Sequence, residues 1–272
     1  MINDAHAIAY TGLTLDRSRP ADDAWFDAAR TEPGARALAF WDGRCAVRDG
    51  GPVTVPVTGD AVYLGRDHAP LFAVDLADEP DETADIRAIH RDLPGEDATR
   101  LAYARGLLHW HRGQRFCGAC GAPAEPRAGG HLRVCTGCAK EHYPRIEPAV
   151  IVLVEHGERC LLARHRGGTG FATLAGFVEI GEGLEDAVRR EVAEETGVAV
   201  GAVAYLGSQA WPFPAGLMVG FRASALSERI SVDGGEITEA RWFTRAEVSA
   251  LPERRPDSIE DFLVTGWLRG GP

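Results

Sequence analysis

The chain has 272 residues, 45% hydrophobic and 25% charged, which is enough for two folded domains and excludes a disordered composition. A formal net charge of -11 excludes a protein that holds nucleic acid over its whole surface, and makes phosphate binding depend on cations or a local basic patch. No apolar run approaches the roughly 20 residues needed to span a bilayer, and the start, MINDAHAIAY, has no basic segment leading into an apolar one, so a cytoplasmic protein without membrane contact is expected.

In chain order, residues 1–112 are expected as a mainly-β first domain. Short apolar runs at Ala37–Trp41 and Ala61–Leu64 alternate with Gly, Pro and Asp clusters, which is the pattern of short strands and turns. The acidic run Asp75–Asp85 reads as a solvated loop. Leu101, Ala104, Leu107 and Leu108 recur at helical spacing, predicting a helix over Ala98–Trp110. A cysteine-rich insert at 113–146 follows, and a third domain occupies 147–272. There, strands are predicted at Ala149–Val154, Cys160–Ala163, Val203–Leu206, Leu217–Ala223 and Ile237–Phe243. Helices are predicted over Glu182–Thr196, closed by Gly197, from Arg245, and over Ser258–Leu268.

Of the six cysteines, four fall in two Cys-x-x-Cys knuckles, Cys117/Cys120 and Cys135/Cys138, fourteen residues apart. Four thiolates satisfy tetrahedral Zn²⁺ and leave no open position, so a structural zinc ion is expected. Cys45 and Cys160 stand alone in apolar surroundings and read as core residues. From Ala104 to Arg145, seven basic residues (Arg105, Arg112, Arg115, Arg127, Arg133, Lys140, Arg145) face only Glu125 and Glu141. Either an anionic ligand approaches this stretch or its charges form an ordinary solvated face.

The segment Gly176–Val198, GFVEIGEGLEDAVRREVAEETGV, carries the chemistry. With Glu191 at the origin of a helical wheel, Glu195 lies at about 40° and Leu184, Val188 and Val192 at about 20°, 60° and 100°. The two glutamates therefore overlap the apolar stripe, and neither has a basic residue four positions away. Like charges there need a cation, and hard carboxylate oxygens suit Mg²⁺ or Mn²⁺. Glu194 differs, because Arg190 four residues earlier can pair with it. Glu185 with Arg189, and Asp186 with Arg190, read as surface pairs.

These residues resemble the Nudix box: Gly176, Glu182, Arg190-Glu191, Val192, Glu194-Glu195, Gly197 and Val198 match every fixed position over twenty-three residues. The resemblance implies an α+β fold, an α/β/α sandwich with a mixed sheet. It also implies hydrolysis of a nucleoside diphosphate linked to another moiety. Glu191 and Glu195 are the expected ligands. The resemblance adds the Ala175 carbonyl and Glu236 as further ligands, Glu194 as a water-mediated ligand or proton carrier, and Arg190 with Glu182 as the remaining catalytic residues.

Downstream, Ser208-Gln209-Ala210-Trp211-Pro212-Phe213-Pro214-Ala215-Gly216 resembles the SQPWPFPxS signature of the NADH pyrophosphatase branch, which also carries a four-cysteine ribbon before the catalytic domain. Ala210 and Gly216 depart from that signature. From chemistry alone the Trp-Pro-Phe-Pro run is either a stiff aromatic ledge for a flat base or a hydrophobic plug; the resemblance favours substrate binding by Gln209–Gly216. It likewise implicates Tyr143 and Phe177 in holding the nicotinamide, in a homodimer. The expected reaction is attack of a metal-activated water on NAD(H), giving AMP and NMN(H), or the same cleavage at NAD-capped RNA. The rivals are a Nudix enzyme acting on ADP-ribose and a non-catalytic nucleotide-sensing module.

Overall fold

The alternation along Glu147–His156 sets the architecture of the C-terminal half. Val150, Val152 and Val154 bury into one core, and Ile151 and Leu153 into another, so this strand is covered on both faces. The computed structural model describes residues 8–19, 23–232 and 234–270. The expectation of no leader rests mainly on residues 1–7, which lie outside the described residues. The chain divides into two units, one holding Glu147–Ala210 and Gly216–Pro272, the other Ala9–Ile146 and Trp211–Ala215.

In the first unit a six-stranded sheet runs in the order Val200–Trp211, Gly216–Ala225, Glu147–His156, Arg159–His165, Ile237–Thr244. The central strand Glu147–His156 pairs in parallel with Gly216–Ala225 and antiparallel with Arg159–His165 and with the short strand Leu174–Phe177. Ala187, Val188 and Val192 of the helix Leu184–Thr196 cover one face. On the other face lie Val248 of the helix Arg245–Ser249 and Leu263, Val264 and Trp267 of the helix Ile259–Leu268. This is the mixed-sheet α/β/α sandwich.

Local chemistry explains the element ends. Thr244 and Glu247 form a reciprocal capping box, and the Ser258 hydroxyl accepts from the Asp261 N–H at 3.1 Å. Gly197 ends the glutamate helix at φ +69°, a conformation that costs an L side chain energy. That helix begins at Leu184 rather than at Glu182, because Gly183 is extended and takes the N-cap. Glu182 thus belongs to the preceding turn. The strand at Val203–Leu206 extends to Val200–Trp211, so the first part of the aromatic-proline signature is sheet.

In the second unit, Arg36–Trp41 lies inside a seven-stranded sheet, parallel to Pro70–Asp75 and antiparallel to Arg44–Arg48. Phe72, Tyr63 and Ala37 form a core with Ala29, Trp25 and Phe26 of the helix Ala24–Thr31. The helix expected at Ala98–Trp110 spans Gly95–Gly113 and buries Leu101, Ala104, Leu107 and Leu108. The acidic run departs from a plain solvated loop. Asp75 ends a strand and pairs with Arg112 at 2.7 Å, Thr83–Ala84 pairs with Ala46 and Cys45, and Asp85 caps a short helix through the Arg87 N–H. The knuckle region folds as a three-stranded antiparallel sheet of Ala124–Arg127, Leu132–Cys135 and Glu141–His142. Among the described residues, no helix is long and apolar enough to cross a membrane.

Candidate metal centres and active site

The four knuckle thiols converge. Their Sγ atoms all lie within 4.8 Å of one another, with Cys117 to Cys138 at 3.8 Å and Cys120 to Cys135 at 3.4 Å. Zn–S bonds of about 2.3 Å place tetrahedral sulfurs about 3.8 Å apart, so the group fits a zinc ion without rearrangement. Backbone N–H groups point at the sulfurs: Ala119 at Cys117 (3.4 Å), and Gly137 (3.3 Å) and Cys138 (3.4 Å) at Cys135. These donors favour thiolate. They lower the Cys117 pKa, mainly through Ala119, and bring Cys135 down to about 6, mainly through Cys138. Cys45 and Cys160, by contrast, are fully buried, and burial pushes each thiol up to about 12.

The basic stretch beside the knuckles is mostly spent within the fold. Arg112 pairs with Asp75 and Arg127 with Glu125, while Arg133 donates to the Ala124 carbonyl at 2.6 Å and contacts His111 Nδ1 at 3.1 Å. Arg105 donates to the carbonyls of Gly43 and Pro212. Four of the seven expected positive charges therefore have internal partners.

On the helix Leu184–Thr196 the glutamates separate by burial. Glu195 is 5% exposed, the Glu191 side chain 14% and that of Glu194 61%. Arg190 binds the group together. Its Nε and Nη2 donate to the two oxygens of Glu182 (3.0 and 2.6 Å). Its Nη1 donates to Glu191 Oε1 (2.9 Å) and Glu194 Oε2 (3.1 Å), and Nη2 also reaches the Phe177 carbonyl (2.9 Å). The surface pairing expected for Asp186 with Arg190 and Glu185 with Arg189 is replaced by Asp186 with Arg189 at 2.9 Å, since Arg190 turns inward. Hydrogen bonds from Arg190 hold the Glu182 carboxyl below the usual range. Glu191 moves the other way: burial raises it, Arg190 opposes, and the nearby charges of Glu194 and Glu236 raise it further.

The strand Leu174–Phe177 supports this group from below. Its Ala175 packs toward the core that carries Trp267, and by alternation Gly176 faces the glutamate helix. A Cβ on Gly176 would stand 2.0 Å from the Glu191 carboxyl carbon, so only glycine admits the carboxylate there. Glu236 precedes the strand Ile237–Thr244 in a loop clamped by Arg166, whose N–H donates to the Glu236 carbonyl (2.8 Å) and whose Nε and Nη2 donate to Gly235 and Gly234 (2.5 and 2.6 Å).

One ligand atom each of His165, Glu195 and Glu236 lies within 4.8 Å of the others. With Glu191 electrostatically coupled to Glu236, these carboxylates and the imidazole make a donor set that suits a divalent cation. Sequence reasoning missed His165 and Arg166. His165 ends a strand and Arg166 follows it, and no local spacing links them to a helix some thirty positions away; the available signal was the pairing of that strand with the one after Glu236.

The aromatic-proline signature divides. Gln209 is 1% exposed, and both ends of its amide are engaged in the fold, Nε2 donating to the Asp257 carbonyl (3.1 Å) and Oε1 accepting from the Ile259 N–H (3.0 Å). Ala210 is the last residue before the chain passes into the other unit, and Gly216, back in the first, opens the next strand. The Phe213 ring sits 3.9 Å from the Arg87 guanidinium and 4.9 Å from that of Arg105, with Trp211 edge-on at 5.4 Å. Pro212 is buried, Pro214 is exposed and joined to Phe213 by a cis peptide, and Ala215 is half-buried. Tyr143 and Phe177 leave 57% and 63% of their surfaces open, and the Tyr143 hydroxyl donates to Glu141 Oε2 at 2.5 Å.

Comparison with known proteins gives three family models in tandem. A "NADH pyrophosphatase-like rudimentary NUDIX domain" matches residues 34–110, a "NADH pyrophosphatase zinc ribbon domain" 112–143 and a "NUDIX domain" 145–263. The chain is 48% identical over 201 residues to NAD-capped RNA hydrolase NUDT12 of Macaca fascicularis, covering 66% of this chain and 44% of that protein. It is 45% identical over 170 residues to NAD-capped RNA hydrolase NudC of Stutzerimonas stutzeri (62% and 61%) and 44% identical over 204 residues to NudC of Mycobacterium tuberculosis (70% and 65%). The matched segments thus span less than two thirds of these relatives' lengths.

Proposed function

Because the chain belongs to the Nudix family, with the zinc ribbon and rudimentary domain of its NADH pyrophosphatase branch, we propose that it hydrolyses the pyrophosphate bond of NAD(H) to AMP and NMN(H). NAD-capped RNA, the substrate class in the names of the relatives, presents the same bond on a larger molecule. The observation that supports this reading is the approach of one ligand atom each of His165, Glu195 and Glu236 to within 4.8 Å of one another, with Glu191, held by Arg190, electrostatically coupled to Glu236.

In this reading Glu195 and Glu236 would hold divalent metal, together with Glu191 and the Ala175 carbonyl. Bound Mg²⁺ or Mn²⁺ supplies charge neutralisation of the pyrophosphate oxygens and lowers the pKa of water. Arg190 fixes the Glu191 carboxylate, and Glu182 fixes Arg190 by occupying two of its donors. Glu194, exposed and bonded through one oxygen, would ligate through water or carry a proton. Tyr143 and Phe177 offer open aromatic faces to the nicotinamide. The segment Ala210–Gly216, with Trp211, Pro212, Phe213, Pro214 and Ala215 between its ends, would frame the substrate, while Gln209, buried and tied to Asp257 and Ile259, would anchor it. A second copy of the chain would cover the open aromatics in a homodimer, and cysteines that form no disulfide, four of them grouped as a zinc site, fit a reducing cytoplasm. Residues 1–112, 113–146 and 147–272 then serve as N-terminal domain, ribbon and hydrolase.

Incubation of the protein with Mg²⁺ or Mn²⁺ and NADH, NAD⁺, ADP-ribose or NAD-capped RNA, with products identified by mass, tests the reading. AMP and NMNH from NADH are expected. Rapid AMP release from ADP-ribose with none from NADH would replace this substrate with the ADP-ribose alternative.

A further inference from the structure

The strand Arg159–His165 alternates strictly. Cys160 and Leu162 face the core that carries Trp267, and Leu161 and Ala163 face the glutamate helix. His165 shares the parity of Leu161 and Ala163, which brings its ring to the side of the sheet occupied by Glu195. At the same point the neighbouring strand is bulged. Register passes from Arg164 with Glu239 to His165 with Ile237, Thr238 is skipped, and its hydroxyl donates to the Arg164 carbonyl at 3.1 Å. A bulge re-aims the residues beside it, here the turn that presents Glu236. Arg166 then locks that turn by three hydrogen bonds to the backbone of Gly234–Glu236. One β-strand end therefore both supplies a nitrogen donor and positions an oxygen donor.

We propose that His165 is a ligand, through a ring nitrogen, in the site it forms with Glu195 and Glu236, and that it biases this site toward a first-row transition ion over Mg²⁺. This rests on the reading of those glutamates as metal ligands. Donors about 2.1 Å from an ion stand about 3 Å apart when adjacent and about 4.2 Å when opposite. The three donor atoms, all within 4.8 Å of one another, reach that geometry by small side-chain adjustments. His165 is half-buried, so the ring is held on the site without being sealed from an entering ion. The selectivity follows from donor chemistry. Magnesium prefers oxygen and gives up water reluctantly, whereas a neutral imidazole adds a donor that transition ions hold more tightly.

Mn²⁺ is the probe, added to the zinc-loaded full chain without substrate. Pulsed electron paramagnetic resonance should show the ¹⁴N coupling of a directly bound imidazole, and His165→Gln should remove it while melting like the wild type. The same variant should lose about fivefold or more in Mn²⁺ affinity and less than about twofold in Mg²⁺ affinity, since glutamine returns an oxygen donor in place of the nitrogen. Absence of the coupling in the wild type, its survival in His165→Gln, or an unchanged Mn²⁺ to Mg²⁺ ratio would overturn the assignment. Glu195→Gln separates the two levels. If it abolishes Mn²⁺ binding while the ¹⁴N coupling is absent, only the role of His165 fails. If it leaves binding intact, the carboxylate site fails and the role of His165 with it.

Discussion

Arg190 grips Glu182 with two hydrogen bonds, Nη2 to Oε1 at 2.6 Å and Nε to Oε2 at 3.0 Å, tying the turn before the glutamate helix to the middle of that helix. A fork of this kind fixes the guanidinium plane, and its remaining Nη1 then aims at Glu191 and Glu194. Glu182 thus acts on the site through Arg190.

Glu182→Gln should therefore lower kcat about 10- to 100-fold, the usual cost of losing a partner behind a metal ligand, with little change in KM. Steady-state kinetics on NADH measure it. A KM rise at constant kcat would place Glu182 in substrate binding instead.

Gly176→Ala should be as damaging as a change at a ligand. The added methyl would stand 2.0 Å from the Glu191 carboxyl carbon, and the carboxylate must move by more than an ångström to make room. A displacement of about 1 Å at a catalytic group can cost about 100-fold in rate. Turnover of the variant, read beside its melting temperature, tests this; near wild-type activity would mean that Glu191 works from another position.

Loss of the ribbon zinc should act on the fold. Cys135→Ser, or prolonged chelation, should lower the melting temperature, because the closed four-sulfur site has no position for a reacting group. Activity should fall only as far as the folded fraction does. A variant that stays fully folded but has lost the chemical step would contradict the structural role.

Acid should weaken the N-terminal unit through the buried His111 and the half-buried His131. Burial lowers the pKa of His131 to about 4, against an ordinary 6.5, and lowers that of His111, although each ring bonds a carbonyl, Tyr63 at 2.6 Å and Gly130 at 2.5 Å. A depressed folded-state value means the unfolded chain takes up the proton first. Stability is then complete above about pH 6.5 and falls as the pH drops toward 4. His131→Asn lacks this term, so its stability deficit relative to the wild type should shrink between pH 7 and pH 5. Taking the difference cancels the zinc contribution common to both. A constant deficit would show that His131 does not carry the effect.

The placement of these side chains was legible in sequence where the chemistry is local. Periodicity alone put Glu191 and Glu195 on the buried stripe, and the knuckle spacing brought four sulfurs together, as the fold does. Arg190 with Glu194 was legible as an i, i+4 pair. Its bonds to Glu182 and Glu191 were not, because one partner lies outside the helix and the other is its immediate neighbour, where helix surface rules are silent. His165 was invisible for a different reason. It meets Glu195 and Glu236 only through strand pairing and a bulge, neither of which leaves a mark within a short window. Gln209 read as part of a motif, whereas its amide is tied into the start of a distant helix.

The most direct test of the central claim compares wild type with Glu195→Gln on NADH in Mn²⁺, with products identified by mass. AMP and NMNH in equal amounts are expected from the wild type. No product is expected from the variant, although the variant should melt like its parent. Retention of most of the activity by a folded Glu195→Gln protein would contradict that claim.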